Sequence, residues 1–193
     1  MLSKKFKNNH VILASGSPRR QELFKELGIK FTIQVKDVEE NYPSYLKKQD
    51  ITNYLAELKA SAFSNELKDE DIVITADTIV WHHNKPIGKP KDKEDAILML
   101  QAFSDDSHKV ISSVCIKTLN CQKTFYDVSK VYFKKLSTAE INYYVENYNP
   151  FDKAGAYGIQ EWIGFIGVTK IKGSYFNVMG LPVHKLYEEL LKL

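Results

Sequence analysis

Arginine is nearly missing from this chain of 193 residues: 25 of its 27 basic side chains are lysine, and the two arginines, Arg19 and Arg20, are neighbours. Lysine therefore serves wherever a generic positive charge suffices. Arginine is kept where a planar, permanently charged, multi-donor fork matters. A strong excess of one charge is missing too: the 24 acidic side chains leave a net +3, too weak a bias to indicate a nucleic-acid binder. Cysteine is scarce. Cys115 and Cys121 are the only two, with no CxxC and no histidine cluster beside them. That argues against a disulfide scaffold or a zinc site and leaves two reduced structural thiols. No apolar run approaches the roughly 18 residues of a membrane span, and the run at 11–14, after the basic N-terminus, is far shorter than a signal-peptide core. The chain reads as cytoplasmic, with no membrane partner.

What is present suits a sizeable core, since 44% of the residues are hydrophobic. Residues 10–14 read as a short buried strand. A helix then opens with Ser17 as N-cap and Pro18 at its first position, and Gly28 stops it. Phe31, Ile33 and Val35 alternate as a strand, and a helix is expected over 51–67 with Tyr54, Leu55, Leu58 and Ala62 on one face. Ile72 to Ile74 form a buried strand ending at Asp77 and Thr78, and residues 84–85 turn the chain back. Asp92 caps a third helix. Segments 109–119 and 122–136 read as an antiparallel pair, Ser137 with Glu140 forms a capping box, and the last helix covers about 182–191. Six of the nine glycines fall between 155 and 180, where the backbone is expected to bend sharply or approach something closely. If His82 and His83 lie on a strand they point to opposite faces, which speaks against a shared metal site. With no repeat and no long linker, the expectation is one domain over 1–193: α/β, a mixed twisted sheet in two lobes flanked by helices, with a cleft between them.

The unit of residues 14–28 carries the sharpest chemical signal. A helix N-terminus bears about half a positive charge, so basic residues in its first turn cost roughly 0.3–1 kcal/mol each. A bound anion reverses that penalty through the free backbone N–H groups, the Ser15 and Ser17 hydroxyls and the guanidinium forks. A triphosphate suits so many donors. Asp77, at the end of an apolar strand, is either a base or metal ligand, together with Glu40, or a carboxylate capping the adjacent turn. Lys59, Lys89 and Lys153 are isolated among 25 lysines, although Gly-Lys-Pro and Asp-Lys-Ala-Gly place the last two in constrained turns. Gln160 can donate and accept at once, as recognition of a base edge requires, or can simply be a polar strand-end residue. Tyr157 and Trp162 either stack on a base or pack in the core.

LASGSPRRQEL at 13–23, ADTIV at 76–80, GKP at 88–90, DKAGAYGIQ at 152–160 and GSYFNVMGLP at 173–182 together resemble the Maf family of nucleoside triphosphate pyrophosphatases. The five blocks occur in the family's order and span nearly the whole chain. The resemblance implies a fold similar to the inosine triphosphate pyrophosphatases, a deep cleft, a divalent metal cation (Mg²⁺ or Mn²⁺), frequent homodimers and a cytoplasmic setting. It also implies hydrolysis of a nucleoside triphosphate between the α and β phosphates. Asp77 then resembles the family's proton acceptor. Ser15, Arg19, Arg20, Lys59, Lys89 and Lys153 resemble its phosphate ligands, and Glu40 its metal-linked acid. Arg19, Thr78 and Gln160 match the subgroup acting on dTTP and UTP rather than the one preferring 7-methyl-GTP. Another nucleotide, or a binding role in septum formation, is the alternative. Two positions depart from the family pattern: Asp105 stands where a Ser-Gly-x-x-His turn usually has glycine, and Asn149 replaces a glutamate before proline.

Overall fold

A computed structural model describes residues 1–193. In chain order its elements are α1 (Leu2–Lys5), β1 (His10–Leu13), α2 (Pro18–Lys25), β2 (Thr32–Ile33), α3 (Gln49–Ser61), β3 (Asp71–His82), β4 (Lys85–Ile87), α4 (Lys93–Phe103), β5 (Ser107–Lys117), β6 (Gln122–Phe133), α5 (Thr138–Tyr148), α6 (Trp162–Gly167), β7 (Val168–Lys172), α7 (Tyr175–Met179) and α8 (Val183–Lys192), with two single 3₁₀ turns between α5 and α6. The strands form one mixed seven-stranded sheet in the order β2-β1-β3-β5-β6-β7, with β4 also paired to β3. β1 lies parallel to β2 and β3, whereas β4 and β7 run antiparallel to β3 and β6. The fold is therefore α/β with a mixed sheet. No helix is long and apolar enough to cross a membrane.

The chain divides into two compact units, one of Met1–Asp77, Ser112–Asp127 and Gly180–Leu193, the other of Thr78–Ile111 and Val128–Met179. In the first, Ile12, Ala14, Phe63 and Val73 form one buried cluster, and Ala56, Ala60 and Cys115 another. The second has the larger core, in which Leu100 and Phe103 of α4 meet Val131, Phe133, Ile141, Tyr144 and Tyr157. Each such side chain contributes about 1.5–3 kcal/mol by leaving water. Tyr157 is thus a core residue. Burial also pushes the Cys115 thiol up to about 11, so it is inert, and both cysteines are free.

Local punctuation explains most boundaries. Pro18 occupies the first turn of α2 and Gly28 follows its end at φ +67. Asp92 accepts the Asp95 N–H at 2.8 Å, and Ser137 and Glu140 close a reciprocal capping box. Asp105 takes φ +60 and Asn149 φ +46, left-handed conformations that Asp and Asn tolerate better than most residues. The turn therefore survives without glycine, and Asn149 ends α5.

Four expectations are corrected. Ser17 stands at the N-cap but its side chain makes no cap bond; instead its N–H donates to Ser15 Oγ at 3.3 Å. The strand around 31–35 shrinks to Thr32–Ile33, both exposed, because it pairs only through a two-residue register with β1. The helix expected over 51–67 spans Gln49–Ser61, and its buried face is Ile51, Thr52, Leu55, Ala56 and Ala60, with Tyr54 exposed. Thr52 is buried because its hydroxyl lies 2.6 Å from Ser113 Oγ. Finally, β3 does not end at Asp77 but runs on to His82.

Candidate active site

Asp77 lies inside β3, buried, and a carboxylate there needs a counter-charge. Lys59, in the last turn of α3, supplies it, with Nζ donating to Asp77 Oδ1 at 2.7 Å. The same ammonium reaches Glu40 Oε2 at 3.1 Å. Side-chain exposure is 17% for Lys59, 9% for Asp77 and 54% for Glu40, so the pair with Asp77 is shielded and the pair with Glu40 faces water. The two acids suggested as metal ligands thus converge on one cation. Carboxylate oxygens are the hard donors that a divalent ion takes, and here the Lys59 ammonium stands between them.

Arg20 is tied down from three directions. Its Nε donates to the Gly180 carbonyl at 2.8 Å, its Nη1 to the Ala76 carbonyl at 2.9 Å, and Nη1 approaches Ser15 Oγ at 3.5 Å. Burial lowers the guanidinium pKa. The negative charges of Asp77 and Glu40 oppose that shift, and Arg19 adds to it. The fork therefore fixes the carbonyl immediately before Asp77, a role beyond the anion binding that its position in the first helical turn suggested. Ser15 is itself buried, and its carbonyl accepts from Gln21 Nε2 at 3.0 Å. Ser15, Arg19, Arg20, Glu40, Lys59 and Asp77 all belong to the first unit.

Thr78, Lys89, Lys153 and Gln160 belong to the second unit. Lys89 is exposed. Lys153 is buried and paired with Asp152 at 2.8 Å and Glu161 at 3.0 Å. Glu161 also accepts a very short hydrogen bond from Tyr144 Oη, which in turn accepts the Gly158 N–H at 3.0 Å. Burial, then the Glu161 bond, raises the Tyr144 pKa, so this hydroxyl remains a donor. No local pattern signals the Glu161–Tyr144 partnership, because its members lie 17 positions apart. Gln160 Oε1 is buried without a hydrogen-bond partner.

The pattern of the Maf-like protein family matches residues 10–193. The chain belongs to the Maf family. Relatives of this Maf chain include the dTTP/UTP pyrophosphatase of Flavobacterium johnsoniae, 59% identical over 193 residues and covering 100% of both chains. That of Flavobacterium psychrophilum is 55% identical over 191 residues, 99% of this chain and 98% of the relative. Among solved structures, the Staphylococcus aureus Ham1 protein matches 65% of this Maf chain and 72% of its own, with a TM-score of 0.49 and 17% identity.

Proposed function

We propose that this protein is a dTTP/UTP pyrophosphatase, hydrolysing the nucleotide to its monophosphate and pyrophosphate. The observation that carries this reading is the 59% identity, without truncation on either side, to a relative of that name. The whole chain of 193 residues acts as one catalytic domain.

In the proposed reaction a water oxygen attacks the α-phosphorus while Asp77 accepts the water proton, and pyrophosphate leaves with the electron pair of the broken anhydride bond. Burial and the Lys59 contact hold the Asp77 carboxylate in one orientation. Arg20 supports it from behind by fixing the Ala76 carbonyl. Ser15, Arg19, Arg20, Lys59, Lys89 and Lys153 supply donors and positive charge to the phosphates, opposing the charge that builds up on them. A divalent ion held by Glu40 and Asp77, with Mg²⁺ or Mn²⁺ as the choices, supplies further charge neutralisation when bound. Gln160 carries a buried acceptor in need of a donor, and the imide N–H of thymine or uracil is such a donor. Arg19 and Thr78 complete the specificity set. The family resemblance also supports a cytoplasmic enzyme that pairs as a homodimer.

Pyrophosphate release from a nucleotide panel with Mg²⁺ or Mn²⁺ tests the reading. dTTP and UTP should exceed 7-methyl-GTP and inosine triphosphate in kcat/KM. Asp77→Asn should lose about 10²-fold or more, the range of a general base, while its melting temperature stays close to the parent's. A fully active Asp77→Asn removes Asp77 from the mechanism, and a preference for a purine nucleotide overturns the substrate assignment. Gln160→Glu should erode discrimination by replacing the amide with a group that only accepts.

A further inference from the structure

His82 and His83 were expected on opposite faces of a strand, and the structure overturns this. β3 ends at His82, and His83 takes φ +44, which breaks the two-residue alternation. The two rings consequently stack on one side, with centroids 3.9 Å apart and planes 20° from parallel. Both Nε2 atoms lie 2.9 Å from the same oxygen, Asp106 Oδ2. The three candidate ligand atoms all fall within 4.8 Å of one another.

We propose that His82, His83 and Asp106 form a binding site for a borderline first-row metal ion, Zn²⁺, separate from the cation of the nucleotide reaction. Two imidazoles and one carboxylate suit Zn²⁺ and are poor ligands for Mg²⁺. Tetrahedral Zn²⁺ at about 2.0–2.1 Å from each donor sets neighbouring donors about 3.3 Å apart. The two 2.9 Å contacts to Oδ2 need to open by about 0.4 Å, and the exposed His83 ring has to tilt out of its stack on His82 so that both Nε2 lone pairs meet one ion. Each ring then carries its proton on Nδ1 and offers the Nε2 lone pair.

The surroundings are organised for this. Asp106 Oδ1 accepts the Ser107 N–H at 2.6 Å, which orients the carboxylate and directs Oδ2 to the histidines. The backbone carbonyl of Asp106 accepts the Phe133 N–H at 2.9 Å, and its N–H donates to Phe103 O at 3.2 Å. The His82 ring stands edge-on to Phe103 at 5.2 Å and is only 6% exposed. His83 is 76% exposed and the Asp106 side chain 38%, which leaves a side open for a water as fourth ligand. All three residues belong to the second unit, and none is shared with the Glu40–Asp77 pair. A bound ion cross-links the β3–β4 hairpin to the turn between α4 and β5.

The test uses the full, untagged chain stripped of metal and free of nucleotide. Zn²⁺ is titrated by calorimetry, and Co²⁺ by the visible absorption of its tetrahedral complex. One ion per chain should bind. His83→Ala, at an exposed position where folding is not at risk, and Asp106→Asn should each weaken binding about tenfold or more. His184→Ala and Asp77→Asn should bind as the parent does. Zn²⁺ should raise the melting temperature of the parent and not that of His83→Ala. A parent chain that binds no Zn²⁺, equal affinity in His83→Ala and Asp106→Asn, or loss of the ion in Asp77→Asn overturns the site. Because no nucleotide is present, these outcomes are independent of whether the protein cleaves dTTP.

Discussion

Lys59 Nζ sits 2.7 Å from Asp77 Oδ1, joining the last turn of α3 to the middle of β3 by a shielded ion pair. Removing one partner of such a pair leaves a charge with no compensation. Lys59→Met should therefore destabilise the protein by about 1–3 kcal/mol, the cost of one unsatisfied group. The same substitution in an Asp77→Asn background should cost clearly less, since no carboxylate is then stranded. Urea denaturation of the four proteins in the cycle measures the coupling. Strict additivity would mean that the contact contributes nothing to stability.

Arg20 gives a second prediction. Its Nε and Nη1 donate to two carbonyls from distant parts of the sequence, Gly180 and Ala76, at 2.8 and 2.9 Å. A lysine ammonium lacks the planar fork needed to hold both directions at once. Arg20→Lys should cost about 1–2 kcal/mol through the lost hydrogen bond, a drop of about 2–8 °C for a chain of this length. It should also lower kcat for pyrophosphate release more than it raises KM, because the carbonyl it frees precedes Asp77. An unchanged melting temperature with KM alone raised would make Arg20 a phosphate ligand and nothing more.

Much of this could be read in the sequence wherever one residue decides a local conformation. Pro18, Gly28, Asp92 and the Ser137–Glu140 box each act within a few positions, so their helices start or stop where the punctuation says. Local pattern is silent where a polar side chain finds its partner far along the chain. β3 looked finished at Asp77 because Thr75 and Asp77 interrupt its apolar run. Yet Thr75 Oγ1 donates to Ala56 O at 2.6 Å and Asp77 pairs with Lys59, so both stay buried inside the strand. Thr52 joins the buried face of α3 in the same way, through Ser113 61 positions on. Of the candidate site, the motif blocks supplied the residue names. That Arg20 binds carbonyls, and that Lys153 faces Glu161, depended on contacts that spacing does not encode.

His108 predicts an acid-sensitive stability. It is buried, its Nε2 lies 2.7 Å from Tyr157 Oη, and its Nδ1 has no partner. Burial, with a smaller effect from His82, lowers its pKa from 6.5 to about 3. The unfolded chain takes up a proton on this ring below about 6.5 while the folded one does not. The folded state is thus disfavoured as pH falls from about 6.5 towards 3. His108→Gln, which cannot take up the proton, should show a shallower loss of stability than the parent between pH 6.5 and 4. The ring's NMR resonances in the folded parent should not titrate above pH 4. A midpoint near 6.5 would show that the ring is open to water.

Gly164 shows what the glycine-rich stretch is for. It lies in α6, where a Cβ built on its backbone would sit 2.0 Å from the Ile159 carbonyl oxygen and 2.6 Å from the carbonyl carbon. Both are main-chain atoms, so no side-chain rotation relieves the clash. The α6 helix would have to move away from the segment ending in Gln160, and Ile163, fully buried beside it, would move with the helix. In an unconstrained helix Gly→Ala stabilises by about 0.5–1 kcal/mol. Here the sign should reverse, with Gly164→Ala costing about 1–3 kcal/mol as an overpacked site does. Because Gln160 directly follows Ile159, the variant should also lose discrimination between dTTP and purine nucleotides while keeping a measurable rate. Urea midpoints together with kcat/KM on both substrate classes decide the matter. A variant as stable as the parent would show that α6 and the Ile159 carbonyl can separate without cost.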